Sequence, residues 1–148
     1  MTENQIDEIV KELAKALQNR EYETFASFFT DNAVFEIPFT VNGGTILKGL
    51  PKINEHFLSV GQNPLTKLIQ IETVTAKVYH STSDKMVTVE YFTKGKSVST
   101  EETFEIQSSI ALIQFDEIGI IYYKDFPNTI GIAKKAGVLA QLAAMWSK

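Results

Sequence analysis

Few side chains in this chain can do chemistry, and their types narrow it further. Cysteine is absent, which removes disulfides, thiolate zinc sites and cysteine nucleophiles. His56 and His80 lie far apart, and neither has a carboxylate at ligand spacing, so no metal site is expected. Gly43-Gly44 reads as a turn rather than a nucleotide cradle, and no cofactor is expected. Carboxylates and tyrosine hydroxyls remain. Tyr22, Tyr122 and Tyr123 can each donate a hydrogen bond to a ligand carbonyl, although a buried tyrosine needs a partner even in an inert core. Tyr123 and Asp125, two residues apart in the run YYKDF, share strand parity.

Such groups act only where elements hold them, and the elements can be read in order. Thr2 and Gln5 have capping-box spacing, and Ile6, Ile9, Val10, Leu13 and Leu17 follow at helical intervals. A shorter helix with Tyr22, Phe25, Phe28 and Phe29 runs into the turn formers Thr30, Asp31 and Asn32. Residues 33–39 predict an edge strand ended by Pro38, with Gly43-Gly44 in the loop after it. Gly49-Leu50-Pro51 opens a third helix of about two turns, carrying Ile53 and Phe57 and closed by Gly61.

Long strands are predicted over residues 65–80, 85–93, 98–115 and 118–126, with breaks at 81–84, at Lys94-Gly95-Lys96 and at Asp116-Glu117. Ile69 and Ile71 have one parity and Val74, Ala76 and Val78 the other, a change of phase that predicts a bulge. Val87, Val89 and Tyr91 point inward. In 98–115, Glu105, Gln107, Ser109 and Ala111 share one face and Phe104, Ile106, Ile110 and Leu112 the other. If the first set lines a pocket, the second is an outward apolar patch suited to a homodimer; a slip of one residue would exchange the faces. The final segment, 129–148, carries Val138, Leu139, Leu142, Met145 and Trp146 at helical spacing.

At 148 residues, with no linker or repeat, the chain is expected to form one domain over 1–148. Ten Phe, five Tyr and one Trp against 22% charged residues suit a core or an apolar pocket. A net charge of −4 without a Lys/Arg cluster argues against nucleic acid. The absence of a signal-like start or a long apolar run predicts no membrane association and a cytoplasmic protein.

Helix, helix, short strand, short helix and four long strands resemble the nuclear transport factor 2-like superfamily, in its ketosteroid isomerase-like and SnoaL-like branch. The segments that carry the resemblance are FFTDNAVFEIP, GLPKINEHF, MVTVEYFTKG and DEIGIIYYKDFPN, over about residues 6–128. It implies an α+β cone-shaped roll, three helices on a curved, mostly antiparallel sheet around an apolar pocket, with an added C-terminal helix. The isomerases' base falls at Ile37 and their oxyanion donors at Leu13 and Ala111, which disfavours their mechanism. The resemblance also matches Asp125 to the pocket aspartate of SnoaL-like cyclases, and a carboxylate walled by aromatic rings gains a raised pKa. Its alternative is a helix cap or a solvent-facing strand end. His56 falls where it can line the pocket and relay a proton, or is an ordinary half-buried histidine. The epoxide hydrolase triad is incomplete, since Gln107 and Ser109 stand where an arginine and a second aspartate are required.

Two functions therefore compete. One is a cofactor-independent proton-transfer enzyme for a small apolar molecule, with Asp125, His56 and Tyr123 as catalytic candidates and Ile37, Val89, Tyr91, Gln107, Ser109 and Ala111 as ligand-binding ones. The other is a non-catalytic binding or dimerisation module.

Overall fold

The computed structural model describes residues 1–82, 84 and 86–148; Ser83 and Lys85, where part of the break at 81–84 and the start of the strand over 85–93 were expected, lie outside them. Helix α1 (Glu3–Gln18) starts at the predicted capping box, Thr2 accepting from the Gln5 backbone while the Gln5 side chain returns the bond. Its face of Ile6, Val10, Leu13, Ala14 and Ala16 is buried, and each full-sized aliphatic there contributes about 1.5–3 kcal/mol. Helix α2 (Tyr22–Ala26) is shorter than the aromatic spacing predicts. Phe29 opens strand β1 (Phe29–Ile37) instead, so Thr30, Asp31 and Asn32 lie in a strand. They occupy a register irregularity between Phe29 and Val34, where turn-forming residues are accommodated without a reversal of the chain.

Strand β1 is not at the edge. A four-residue strand, β2 (Thr45–Lys48), too short to be read from its pattern, covers it on one side. Helix α3 (Leu50–Gln62) runs well past two turns. Gly61 continues it because the missing side chain leaves room for the Tyr22 ring, whose Cδ2 would lie 3.2 Å from a Cβ. After a 3-10 turn (Pro64–Leu68) come β3 (Ile69–His80), β4 (Met86–Ser97), β5 (Thr103–Phe115) and β6 (Ile120–Pro127). The predicted phase change in β3 is present as a register shift between Ile71 and Thr73. The turn expected at Lys94-Gly95-Lys96 is absent, and β4 runs straight through it. Gly95 is required instead by close packing, because a Cβ would sit 2.6 Å from the Gln70 carbonyl oxygen. The reversal comes after Ser97, with Glu101 at φ 61°.

Among the described residues, the six strands are ordered β2-β1-β6-β5-β4-β3, antiparallel except for the parallel β1–β6 pair, and the sheet stays open. Helices α1 to α3 cover its inner face. Beyond β6 the expected single helix is two, α4 (Thr129–Ala136) and α5 (Leu139–Trp146), broken at Gly137, whose φ of 77° ends α4 in a left-handed cap. Among the described residues, no helix is long and apolar enough to cross a membrane.

A second register shift, not read from the sequence, corrects the predicted faces of β5. Tyr91 pairs with Ser109 but Phe92 pairs with Gln107, leaving Ser108 as an extra residue. Ser109 and Ala111 keep the inner face and Ile110 and Leu112 the outer one, as expected. Beyond the bulge the order flips. Phe104 and Ile106 turn inward, while Gln107 turns outward and donates to Glu90 across the outer face.

Candidate active site

Strand β6 alternates between two environments. Tyr122, Lys124 and Phe126 point outward, where the Tyr122 hydroxyl donates to Glu36; Tyr123 and Asp125 point inward. Asp125 stands opposite Ala111, which stands opposite Val89, and both of these are fully buried. Neither side chain has a polar atom to offer the carboxyl. Ile37, one residue beyond the Glu36–Lys124 pair, brings another apolar side chain level with Asp125.

The hydroxyls nearby belong to Tyr91 and Tyr123, both buried. Tyr123 donates to the Tyr91 oxygen at 3.2 Å, which leaves the Tyr91 proton for another acceptor. The Tyr123 ring stacks on Phe35, with centroids 5.2 Å apart, and meets Phe25 edge-on at 5.7 Å. Burial and the neighbouring phenol raise Tyr123 well above an ordinary tyrosine, and burial likewise raises Tyr91, so both remain hydrogen-bond donors at neutral pH.

Asp125 keeps part of its surface in solvent, yet loss of hydration at the carboxyl raises its pKa to about 7. No cation opposes that shift. Near neutrality the group therefore populates both forms, as an acid or base for proton transfer must.

His56 packs in the same aromatic layer, with its ring centroid 5.5 Å from Phe35 and 5.2 Å from Phe57. Burial lowers its pKa, so it is neutral at pH 7. It shares no hydrogen bond with Asp125, and the Phe35 and Tyr123 rings stack in line beyond it. Ser109 is half-buried opposite Tyr91. Of the residues singled out in the sequence, Asp125, Tyr123, Tyr91, Val89, Ala111, Ser109 and Ile37 thus share one side of the sheet, with His56 over them from α3. Gln107 is on the other side. The Tyr123–Tyr91 bond was missed because parity places both rings inward without showing that they meet across the intervening β5. His80 has a partner that spacing did not reveal: its Nε2 lies 2.8 Å from Asp7 of α1. Among the described residues, no group of three or more His, Asp or Glu side chains could hold a metal.

Two cavities flank this cluster. Past the end of β6, Ile37, Phe39, Val41, Pro127, Ile130 and Trp146 line a groove of about 500 Å³. On the other side, past Tyr91, the inner residues Thr93, Phe104, Ile106 and Ser108 wall an apolar cavity of about 230 Å³ roofed by Tyr22 and Leu65.

No protein-family model matches the sequence, and comparison with curated proteins finds no match. Solved structures do match. A Bacillus subtilis protein proposed to be an isomerase is 22% identical, with a TM-score of 0.73 over 93% of this chain and 97% of its own. A Catenulispora acidiphila protein with a ketosteroid isomerase-like fold, solved with trimethylamine, is 18% identical with a TM-score of 0.63 over 90% and 95%. The epoxide hydrolase/cyclase-like enzyme SalBIII, which has a role in pyran ring formation in the polyether salinomycin, is 18% identical with a TM-score of 0.60 over 86% and 95%. Proteins described as isomerases and as an epoxide hydrolase/cyclase-like enzyme share this architecture, and the chain has a ketosteroid isomerase-like fold.

Proposed function

We propose that this protein is a cofactor-independent acid/base enzyme that moves a proton on a small apolar carbonyl compound or epoxide, with Asp125 exchanging the proton and Tyr91 and Tyr123 supplying hydrogen bonds. The observation that carries this reading is a carboxyl group dehydrated among aromatic and aliphatic side chains, with a pKa of about 7 and two phenols beside it. Such a group accepts a proton from a carbon next to a carbonyl and returns it elsewhere on the same molecule. The Tyr91 proton, not needed by Tyr123, is available to an oxygen on which charge develops. His56, neutral and within the aromatic layer, shapes the site and takes no charge. The test is deuterium incorporation into small cyclic ketones in heavy water, followed by NMR. Exchange above background in the wild type that is lost in Asp125→Asn supports the reading. Exchange of equal rate in both proteins refutes it.

A second reading, a binding module that dimerises through the outer sheet face, draws on how full the interior is around Asp125. Leu13, Phe25, Phe57 and Tyr123 are buried there. Tyr79, Glu90, Gln107, Ile110 and Leu112 would then form the contact between two copies. Sedimentation of the wild type against Ile110→Glu distinguishes a dimer built on this face from a monomer.

A further inference from the structure

Helix α1 ends in an unusual way. The Glu21 N–H donates to the Ala16 carbonyl and the Arg20 N–H to the Leu17 carbonyl, the paired bonds of a Schellman motif. The residue in the left-handed position of that motif is usually glycine, yet here it is Arg20, with φ 55°. Arg20 is also the sole arginine in the chain. The strained backbone directs its side chain away from the helix end toward the start of β3, where one guanidinium nitrogen donates to the Ile69 carbonyl at 2.6 Å. No other hydrogen bond or ion pair of the guanidinium is present among the described residues, so most of its donors remain unused. A strained backbone position whose side chain keeps donors open is a candidate binding position.

What surrounds Arg20 defines that purpose. On one side is the cavity of about 230 Å³, walled by Leu65, Ile69, Ile71, Phe104, Ile106 and Ile132. On the other is an open depression bordered by Lys67 and Lys96, with Glu101 as its one acidic residue. Arg20 lines both, as do Tyr22, Thr66, Ile69 and Ile71, so it stands where the apolar space meets the basic rim. Within this depression three cations stand against one carboxylate, while Glu23 and Glu55 line the separate groove on the α3 side of Arg20. At the far wall the Thr93 hydroxyl donates to Ser108, which in turn donates to the Tyr91 carbonyl. Those hydroxyl protons are spent, so the inner end of the cavity favours hydrocarbon.

We propose that this cavity binds a small carboxylic acid with an apolar body, its carboxylate on Arg20 at the rim and its hydrocarbon part among Leu65, Ile69, Phe104, Ile106 and Ile132. The planar guanidinium matches a carboxylate in a two-point contact, and Lys67 and Lys96 add attraction without fixing geometry. The site goes beyond the proton-transfer reading, and Asp125 takes no part in holding the ligand.

The test is a calorimetric titration with octanoate, octanol and acetate. The wild type is expected to bind octanoate at least tenfold more tightly than either of the others, since only octanoate has both the charge and the hydrocarbon. Arg20→Gly suits the left-handed backbone better than arginine does, so it should fold with an unchanged or higher melting temperature while octanoate falls to the level of octanol. Ile132→Trp, which fills the cavity from α4, should weaken octanoate at least tenfold. Asp125→Asn should bind octanoate as the wild type does, which separates this proposal from the catalytic one. Equal affinity for octanoate and octanol in the wild type, or octanoate binding that survives Arg20→Gly, would overturn it.

Discussion

The two ends of the sheet's inner face are built on opposite plans. Around Asp125 the space is full: Tyr91, Tyr123, Phe35, Val89 and Ala111 are buried, and the one carboxyl group among them is dehydrated. Around Arg20 the space is hollow, its walls are mainly Leu65, Ile69, Ile71, Ile106, Ile132 and the Phe104 ring, and the charges sit at the rim. A packed surround changes a group's acidity because it removes water and allows no relaxation. A hollow one has room to admit a ligand. On the proposed reading, reactive chemistry and ligand capacity are divided between neighbouring regions, with Tyr91 at the boundary, its hydroxyl toward one and its carbonyl bonded to Ser108 of the other.

That contrast can be broken most severely at Asp125. In the ketone exchange assay, Asp125→Asn should lower the rate at least ~100-fold, the range of a lost general base. The same carboxyl should also burden stability. An unfolded chain releases its proton near 4 and the folded one near 7, so between these values the folded state holds the extra proton and stability falls as pH rises. Above pH 7 the loss is complete and amounts to about 2–4 kcal/mol, since the residue keeps some solvent contact. Asp125→Leu should therefore be more stable than the wild type at pH 8 by about that amount in urea unfolding, with the difference shrinking toward pH 4.

The hollow end offers a smaller test. Gly95→Ala places a methyl 2.6 Å from the Gln70 carbonyl oxygen and 3.0 Å from the Phe104 ring, and should cost about 1–3 kcal/mol by thermal unfolding. It should also push Phe104 into the cavity and weaken octanoate. Smallest of all, Tyr123→Phe deletes one neutral hydrogen bond and should cost about 1 kcal/mol, with the Asp125 titration kept near 7.

These two ends also differ in how legible they were. The Thr2–Gln5 cap, the α1 stripe and the Tyr123–Asp125 parity are local patterns, and each could be read without knowing any partner strand. The bulge at Ser108 could not. Ser-Ser has no local bulge signature, and the extra residue is defined only by the offset between Tyr91–Ser109 and Phe92–Gln107 pairing. It moved Phe104 and Ile106 into the hollow end and Gln107 out of the site. Gly95 misled for a related reason: a glycine flanked by lysines looks like a turn, whereas here it answers to Gln70 and Phe104 on neighbouring strands. Arg20 drew no attention because its signal is conformational, a left-handed φ that its residue type does not announce. Non-local pairing and backbone strain are absent from periodicity, and both concentrate at the hollow end.

The most direct measurement is an NMR titration of the Asp125 side-chain carboxyl from pH 3 to pH 9, assigned by its disappearance in Asp125→Asn. The packed surround predicts an inflection near 7, more than two pH units above an ordinary aspartate. An inflection near 4 would mean a hydrated carboxylate, and with it the acid/base role of this end of the sheet would fail.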